Sequence, residues 1–244
     1  MLFAVKIINF PEVSWVLRQK SQGTNTISPI QRVFIYLCAV FLELNESNPN
    51  PQHIAQSVKV LREGGIIIFP TDTIYAIGCD LMNYKAIERL CKVFGTKPEN
   101  THLSLICTDL RNISDYTLPF VTPVFKLLKQ CLPGPYTFIL KSNNQVRKIL
   151  HNKKKTVGIR VPDNNVARML ARELGNPLVS KSIHSDDGVT EYYTDPYEIF
   201  GKYEKTVDLM LSDGYGSNIH STMIDCSEEE PYLVRMGKGE IAGL

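Results

Sequence analysis

The chain has 244 residues, with 27 Lys and Arg against 25 Asp and Glu for a formal net charge of +2. That balance is too even for nucleic-acid binding through total charge, so an anionic partner would have to meet a local patch. An apolar fraction of 43% suits a globular protein with a sizeable core, of one large α/β domain or two small ones.

Residues 1 to 37 carry no usable period and read as an N-terminal extension, either an appendage or an upstream start choice; one domain is expected over 38 to 244. The apolar run VFIYLCAVFLEL, residues 33 to 44, is too short to span a bilayer as a helix and is not preceded by signal-peptide order. It reads as an edge strand at its end. From residue 50 the chain falls into regular units. Asn50-Pro51 is an N-cap with a first-turn proline, Ile54, Val58 and Leu61 recur at helical spacing, and Gly64-Gly65 supplies the positive φ that ends a helix. The strand IIIF follows and is stopped by Pro70, which puts Thr71, Asp72 and Thr73 in a loop at its C-terminal end, where α/β sheets commonly hold ligands.

The same grammar recurs downstream. YKAIERLCKVF is a helix, HLSLICTD alternates like a strand, and TPVFKLLKQCLPG reads as a helix capped by Thr122. PGPYTFIL, TVGIRVP and PLVSKS read as strands, with the helix NVARMLARELG stopped by Gly175. Asp195-Pro196-x-Glu198 has the form of a cap, a first-turn proline and a capping-box acid, ahead of the strands TVDLML, STMIDC and YLVRM. Interleaved helices and strands without a flexible linker predict one α/β domain with a twisted mixed sheet.

Several chemistries are disfavoured. There is no G-x-x-x-x-G-K-[ST] loop and no G-x-S-x-G elbow. The six cysteines (38, 79, 91, 107, 131 and 226) form no C-x-x-C pair and several lie in apolar runs, as expected of reduced, buried thiols in a cytoplasmic protein. The five histidines lack metal spacing. Hydroxyls and arginines instead collect at strand ends: Thr71, Thr73, Thr137, Arg160, Ser180, Ser182, Ser221, Thr222 and Arg235. Any one of these could simply tie off a turn; together they describe a polar cleft suited to an anionic ligand. The segment 141 to 160 contains Lys141, Arg147, Lys148, Lys153, Lys154, Lys155 and Arg160 and no acid, and reads either as a solvated helix and turn or as a nucleic-acid patch.

The stretches GGIIIFPTDTIYAIGCD, PGPYTFIL, VGIRVP, PLVSKSI, VDLMLSDG, STMID and LVRMGKG stand in the order and approximate spacing of the YrdC/YciO family of threonylcarbamoyl-adenylate synthase-like proteins. The chain resembles that family over roughly residues 40 to 240, with residues 83 to 94 and PGPYTFILK most similar to its YciO branch. The resemblance implies a single YrdC-like domain, its mixed parallel and antiparallel sheet flanked by helices around a concave positive cleft. It also implies a nucleotidyltransferase that converts ATP, L-threonine and bicarbonate to threonylcarbamoyl-AMP and pyrophosphate with Mg2+, for threonylcarbamoyladenosine modification of tRNA. Double-stranded RNA or tRNA binding is the alternative role, and no membrane partner is implied.

Carried over by motif, Thr71, Thr73, Tyr75 and Thr137 correspond to the threonine-binding wall. Arg160, Ser180, His184, Ser221 and Thr222 correspond to the nucleotide cleft, and Lys97, Ser182 and Arg235 to its catalytic groups, with no protein metal ligand among them. Lys153, Lys154 and Lys155 are the RNA candidates. The sequence departs from the synthase pattern twice. Of the K-x-R pair only Lys97 fits, with Phe94 or Gly95 where the lysine falls, and S-T-S-A-N reads Ser180-Lys181-Ser182-Ile183-His184, leaving Lys181 as a candidate replacement charge.

Overall fold

The computed structural model describes residues 39–151, 155–184 and 192–241. Its helices begin and end largely where cap chemistry places them. Asn50 Oδ1 accepts the Gln52 amide at 2.9 Å, Pro51 opens α1 (Pro51–Arg62), and Gly64, at φ 86°, turns the chain away. Asn83 caps α2 (Tyr84–Val93) by accepting the Ala86 amide. α3 (Thr122–Cys131) differs from expectation: Thr122 is its first helical residue and extended Val121 holds the cap position without a side-chain bond. A proline fits either of the first helical positions, so Pro123 did not fix the start. Asn143 caps α4 (Asn144–Leu150), Asn164 caps α5 (Asn165–Leu174), which stops at left-handed Gly175, and Asp195 caps α6 (Pro196–Tyr203).

The strands are β1 (Val40–Glu43), β2 (Ile67–Phe69), β3 (Ala76–Asp80), β4 (Ser104–Ile106), β5 (Tyr136–Lys141), β6 (Thr156–Arg160), β7 (Leu178–Ser182), β8 (Leu209–Ser212), β9 (Thr222–Asp225) and β10 (Tyr232–Arg235). They form one ten-stranded mixed sheet in the order β1-β8-β2-β3-β7-β4-β6-β5-β9-β10. The apolar run before residue 45 does end in an edge strand, β1, paired in parallel with β8.

Alternation along the strands gives the sheet two unequal faces. One carries Ile68, Ile77, Cys79, Leu105, Val179, Phe138, Leu140, Ile159 and Ile224, and is covered by α2, α3, α4 and α6 through Ile87, Leu90, Val124, Leu128, Val146 and Ile199. The other carries Ile67, Phe69, Ala76, Ile106, Leu178, Leu209 and Leu211 under the apolar stripes of α1 and α5. Across β7, β4, β6, β5 and β9 this second face changes to Ser180, Ser182, Ser104, Gly158, Thr137 and Met223. None of these six residues belongs to the apolar cluster that α1 and α5 form with the sheet. Among the described residues no helix is long and apolar enough to cross a membrane.

Candidate functional site

The loop between β2 and β3 is folded by its own side chains. Thr71 Oγ1 donates to the Ile74 carbonyl at 2.8 Å and accepts the Thr73 amide at 3.1 Å. Asp72 Oδ2 accepts the Asp163 amide at 2.9 Å, while its Oδ1 accepts Arg160 Nη2 at 2.9 Å; the same Nη2 donates to Thr73 Oγ1 at 2.8 Å. The Arg160 and Asp72 side chains are 4% and 8% exposed. Desolvating both charges is costly, and their mutual attraction with the surrounding hydrogen bonds must offset it. Burial lowers the Arg160 pKa, Asp72 opposes that shift, and the charge of Arg235 adds to it.

A cavity of about 640 Å³ opens beside this loop. Glu46, Asp72, Asp163 and Asp213 line it with Lys238, an acidic wall suited to an ammonium group. Tyr75 Oη donates to the Gly214 carbonyl at 2.6 Å and to Asp213 Oδ1 at 3.2 Å, and Asn164 Nδ2 donates to Asp213 Oδ2 at 3.2 Å. Burial raises the pKa of both the Tyr75 phenol and the Asp213 carboxyl. A Cβ at Gly216 would stand 2.7 Å from Tyr75 Cδ2, so the ring's seat requires a residue without a side chain. Lys238 Nζ donates to the Asp72 carbonyl at 2.6 Å, closing the loop from the C-terminal side.

From Arg160 the second face runs on as a polar row. Register aligns Gly78, Ser180, Ser104 and Gly158 across four strands. A Cβ at Gly158 would meet Ser104 Oγ at 2.6 Å and Thr137 Cγ2 at 3.4 Å, which places all three on one side. Thr137 Oγ1 lies 2.7 Å from Ser221 Oγ, Ser180 Oγ donates to the Ser104 carbonyl at 3.3 Å, and Arg235 Nη2 donates to the Ser221 carbonyl at 3.2 Å. The Nε atoms of Arg160 and Arg235 are buried with no hydrogen-bond partner among the described residues, a state that native sites usually relieve with water or a ligand.

The remaining candidates are less convergent. Ser182 shares the side of Ser180, whereas Thr222 Oγ1 donates to the Gly239 carbonyl at 2.6 Å and accepts the Gly237 amide at 2.9 Å, shaping the turn that delivers Lys238. His184 is exposed just past β7, its ring 5.2 Å from that of Tyr192. The residue as a whole is exposed, but partial desolvation of its ring is the first cause lowering its pKa, followed by the charges of Lys181, Arg235 and His220. Lys97 is exposed at the start of the short 3-10 turn Pro98–Asn100, and no described hydrogen bond or ion pair joins it to the other candidates. Lys181 alternates to the opposite face from Ser180 and Ser182, so it does not restore the missing charge within the row. Lys155 is exposed; Lys153 and Lys154 lie outside the described residues. Among the described residues no group of three or more His, Cys, Asp or Glu is placed to hold a metal.

Sequence reasoning missed Glu46, Asp163, Asn164, Asp213 and Lys238 as lining of the cavity. An asparagine directly ahead of NVARMLAREL is a capping signal that was not used, and the bond of Asn164 to Asp213 joins loops that meet only through the sheet order.

Comparison with known proteins agrees with this architecture. A family model named Sua5_yciO_yrdC and described as telomere recombination matches residues 59–237. The Escherichia coli protein YciO is 39% identical over 203 residues, 82% of this chain and 97% of that protein. Its crystal structure superposes with a TM-score of 0.76 at 37% identity, covering 83% of this chain and 97% of that one. The threonylcarbamoyl-AMP synthase of Bacillus subtilis is 28% identical over 196 residues, 79% of this chain but 56% of that enzyme. P. abyssi Sua5 complexed with L-threonine shares the fold with a TM-score of 0.74 at 22% identity, covering 82% of this chain and 58% of that one.

Proposed function

This chain belongs to the Sua5/YciO/YrdC family, and on that premise we propose that it is a threonylcarbamoyl-AMP synthase-like nucleotidyltransferase acting on ATP, L-threonine and bicarbonate. The observation that carries this reading is the buried Arg160, fixed by Asp72 and Thr73 between an acidic cavity and a polar row that ends in Arg235. A two-substrate adenylation needs one region that takes an amino acid and a neighbouring cationic one that takes a triphosphate. The P. abyssi protein of the same fold was solved with L-threonine, and the likeness to the B. subtilis threonylcarbamoyl-AMP synthase supports this reaction class.

In this scheme the threonine amine adds bicarbonate with loss of water, giving a carbamate. A carbamate oxygen then attacks the α-phosphorus of ATP, the bond to the leaving oxygen breaks, and pyrophosphate departs. The protein's part is positioning and charge stabilisation. The acidic cavity orients the amino acid, and Arg160 and Arg235 stand over the phosphates. Magnesium would arrive on the nucleotide, since no three carboxylates or other ligating groups among the described residues, the acidic wall included, stand close enough to hold a metal. Without the K-x-R lysine the transition state lacks one cation, and the loss of one such group costs about 3–4 kcal/mol, so turnover should be slow.

The test is pyrophosphate release by the purified chain. Release that requires both threonine and bicarbonate supports the reading; no release in any combination removes it. The remaining reading would then be a non-catalytic tRNA or double-stranded RNA binder. It predicts affinity that falls steeply with salt and drops when Lys153, Lys154 and Lys155 are neutralised.

A further inference from the structure

The four carboxylates that line the acidic cavity are not equivalent. Asp72 spends its oxygens on Arg160 and on the Asp163 amide. Asp163 is exposed, and its Oδ1 accepts Arg168 Nη1 at 3.2 Å. Glu46 is half-buried, but no described bond fixes its carboxylate. Asp213, which follows β8, is half-buried and fixed, yet no ion pair among the described residues includes it.

Its seat is built from neutral donors. Asn164 Oδ1 is committed to the Ala167 amide at 3.1 Å as the α5 cap, which turns Nδ2 to Asp213 Oδ2. The Tyr75 hydroxyl has one proton, and the Gly214 carbonyl at 2.6 Å is a nearer acceptor than Asp213 Oδ1 at 3.2 Å. The carboxylate is therefore oriented without being neutralised, and lone pairs remain open to a further donor. Burial raises its pKa, against the hydrogen bonds from Asn164 and Tyr75, which makes it a stronger base than a solvated aspartate.

The reaction has a use for such a group. An amine adds to bicarbonate through its nitrogen lone pair, and near neutral pH an α-amino group is largely protonated and has none to offer. We propose that Asp213 is the general base for this step, accepting a hydrogen bond from the threonine ammonium and removing one of its protons so that the free amine faces bicarbonate. The inference rests on the synthase reading. The nitrogen then bonds to the bicarbonate carbon, the bond from that carbon to its hydroxyl breaks with its electron pair, and the departing oxygen takes a nitrogen proton to leave as water. Threonine ammonium and bicarbonate thus give the carbamate, one water and one proton, the last held by Asp213 and passed to solvent. The titratable groups that share the cavity are Tyr75, Asp72, Asp163, Glu46, Lys238 and Tyr215. Lys238 directs its Nζ to the Asp72 carbonyl, and burial keeps the Tyr75 phenol protonated.

A purely structural Asp213 would only tie the loop after β8 to the α5 cap. That role predicts a lower melting temperature for Asp213→Asn and a rate loss that is the same at every pH.

The test is pyrophosphate release by the full chain, followed as kcat/KM for threonine from about pH 7 to about pH 9.5. Asp213→Asn should lose at least tenfold near neutral pH, and the loss should shrink as rising pH frees the amine unaided. Asp213→Glu should keep the shape of the wild-type profile at a lower rate. No loss in Asp213→Asn, a loss constant across the range, or a shrinking loss in Glu46→Gln with Asp213→Asn unaffected overturns the base role and leaves the synthase reading standing. Absence of release by the wild-type chain at every pH overturns both. Where Asp213→Asn fails to fold, Asp213→Ser carries the same expectations.

Discussion

Over β2, β3 and β8 the second sheet face presents Ile67, Phe69, Ala76, Leu209 and Leu211 to α1 and α5; a few strands along, the same face presents Ser180, Ser104, Gly158, Thr137 and Arg160. The first half is held by apolar burial and is indifferent to which hydrophobic residue fills it, within limits of volume. The second is held by directed bonds, including a buried ion pair that is costly to disturb. The polar residues stand outside the apolar cluster under α1 and α5, and there a ligand would meet hydrogen-bonding groups instead of hydrocarbon.

Substitutions in the two halves should therefore separate stability from binding. The largest effect is expected at Arg160→Met, which strands Asp72 as a buried charge and should cost about 3–5 kcal/mol in urea unfolding. Adding Asp72→Asn should recover part of that loss without recovering ATP affinity; equal losses in the single and double variants would show that the pair is not the source. In the covered half, Leu170→Ala removes a fully buried α5 side chain and should cost about 2–5 kcal/mol while the folded protein binds ATP normally. Reduced ATP affinity there would blur the division.

Smaller effects sharpen the boundary. Gly216→Ala forces a methyl against Tyr75 and should cost about 1–3 kcal/mol, with threonine affinity falling more than ATP affinity in parallel titrations. Thr137→Val keeps shape but breaks the bond to Ser221, costing about 0.5–1.5 kcal/mol by denaturant and weakening ATP binding, since both hydroxyls face the row. The smallest effect is a pH dependence. His184 has a folded pKa below its ordinary value, so the unfolded chain binds the proton more readily and stability falls as pH drops through about 6.5 and below. His184→Gln should flatten the melting temperature between pH 7 and pH 5; an unchanged slope would place that dependence elsewhere.

Local chemistry was the legible part of the sequence. Asn50-Pro51, Asp195-Pro196 and Gly175 mark their helix ends by bonds made within a few residues. The loop of Thr71, Asp72 and Thr73 was legible as the lip of a site, but not the partner of its carboxylate: Arg160 lies 88 residues away and meets Asp72 only through the strand order. Strand alternation along PLVSKS turns Lys181 away from Ser180 and Ser182 and so counts against its expected role as a replacement charge, yet which side holds helices depends on non-local pairing. Asp213 and Lys238 stayed hidden for the same reason, each being an ordinary loop residue until the sheet brings it to the cavity.

Calorimetric titration with ATP, in the presence and absence of L-threonine, tests the central claim most directly: the acidic cavity and the arginine-bearing row form one two-substrate site. The account predicts that threonine tightens ATP binding, that ATP reciprocally tightens threonine binding by the same factor, and that Arg235→Met weakens ATP in both conditions. ATP binding that ignores threonine and survives Arg235→Met would contradict it.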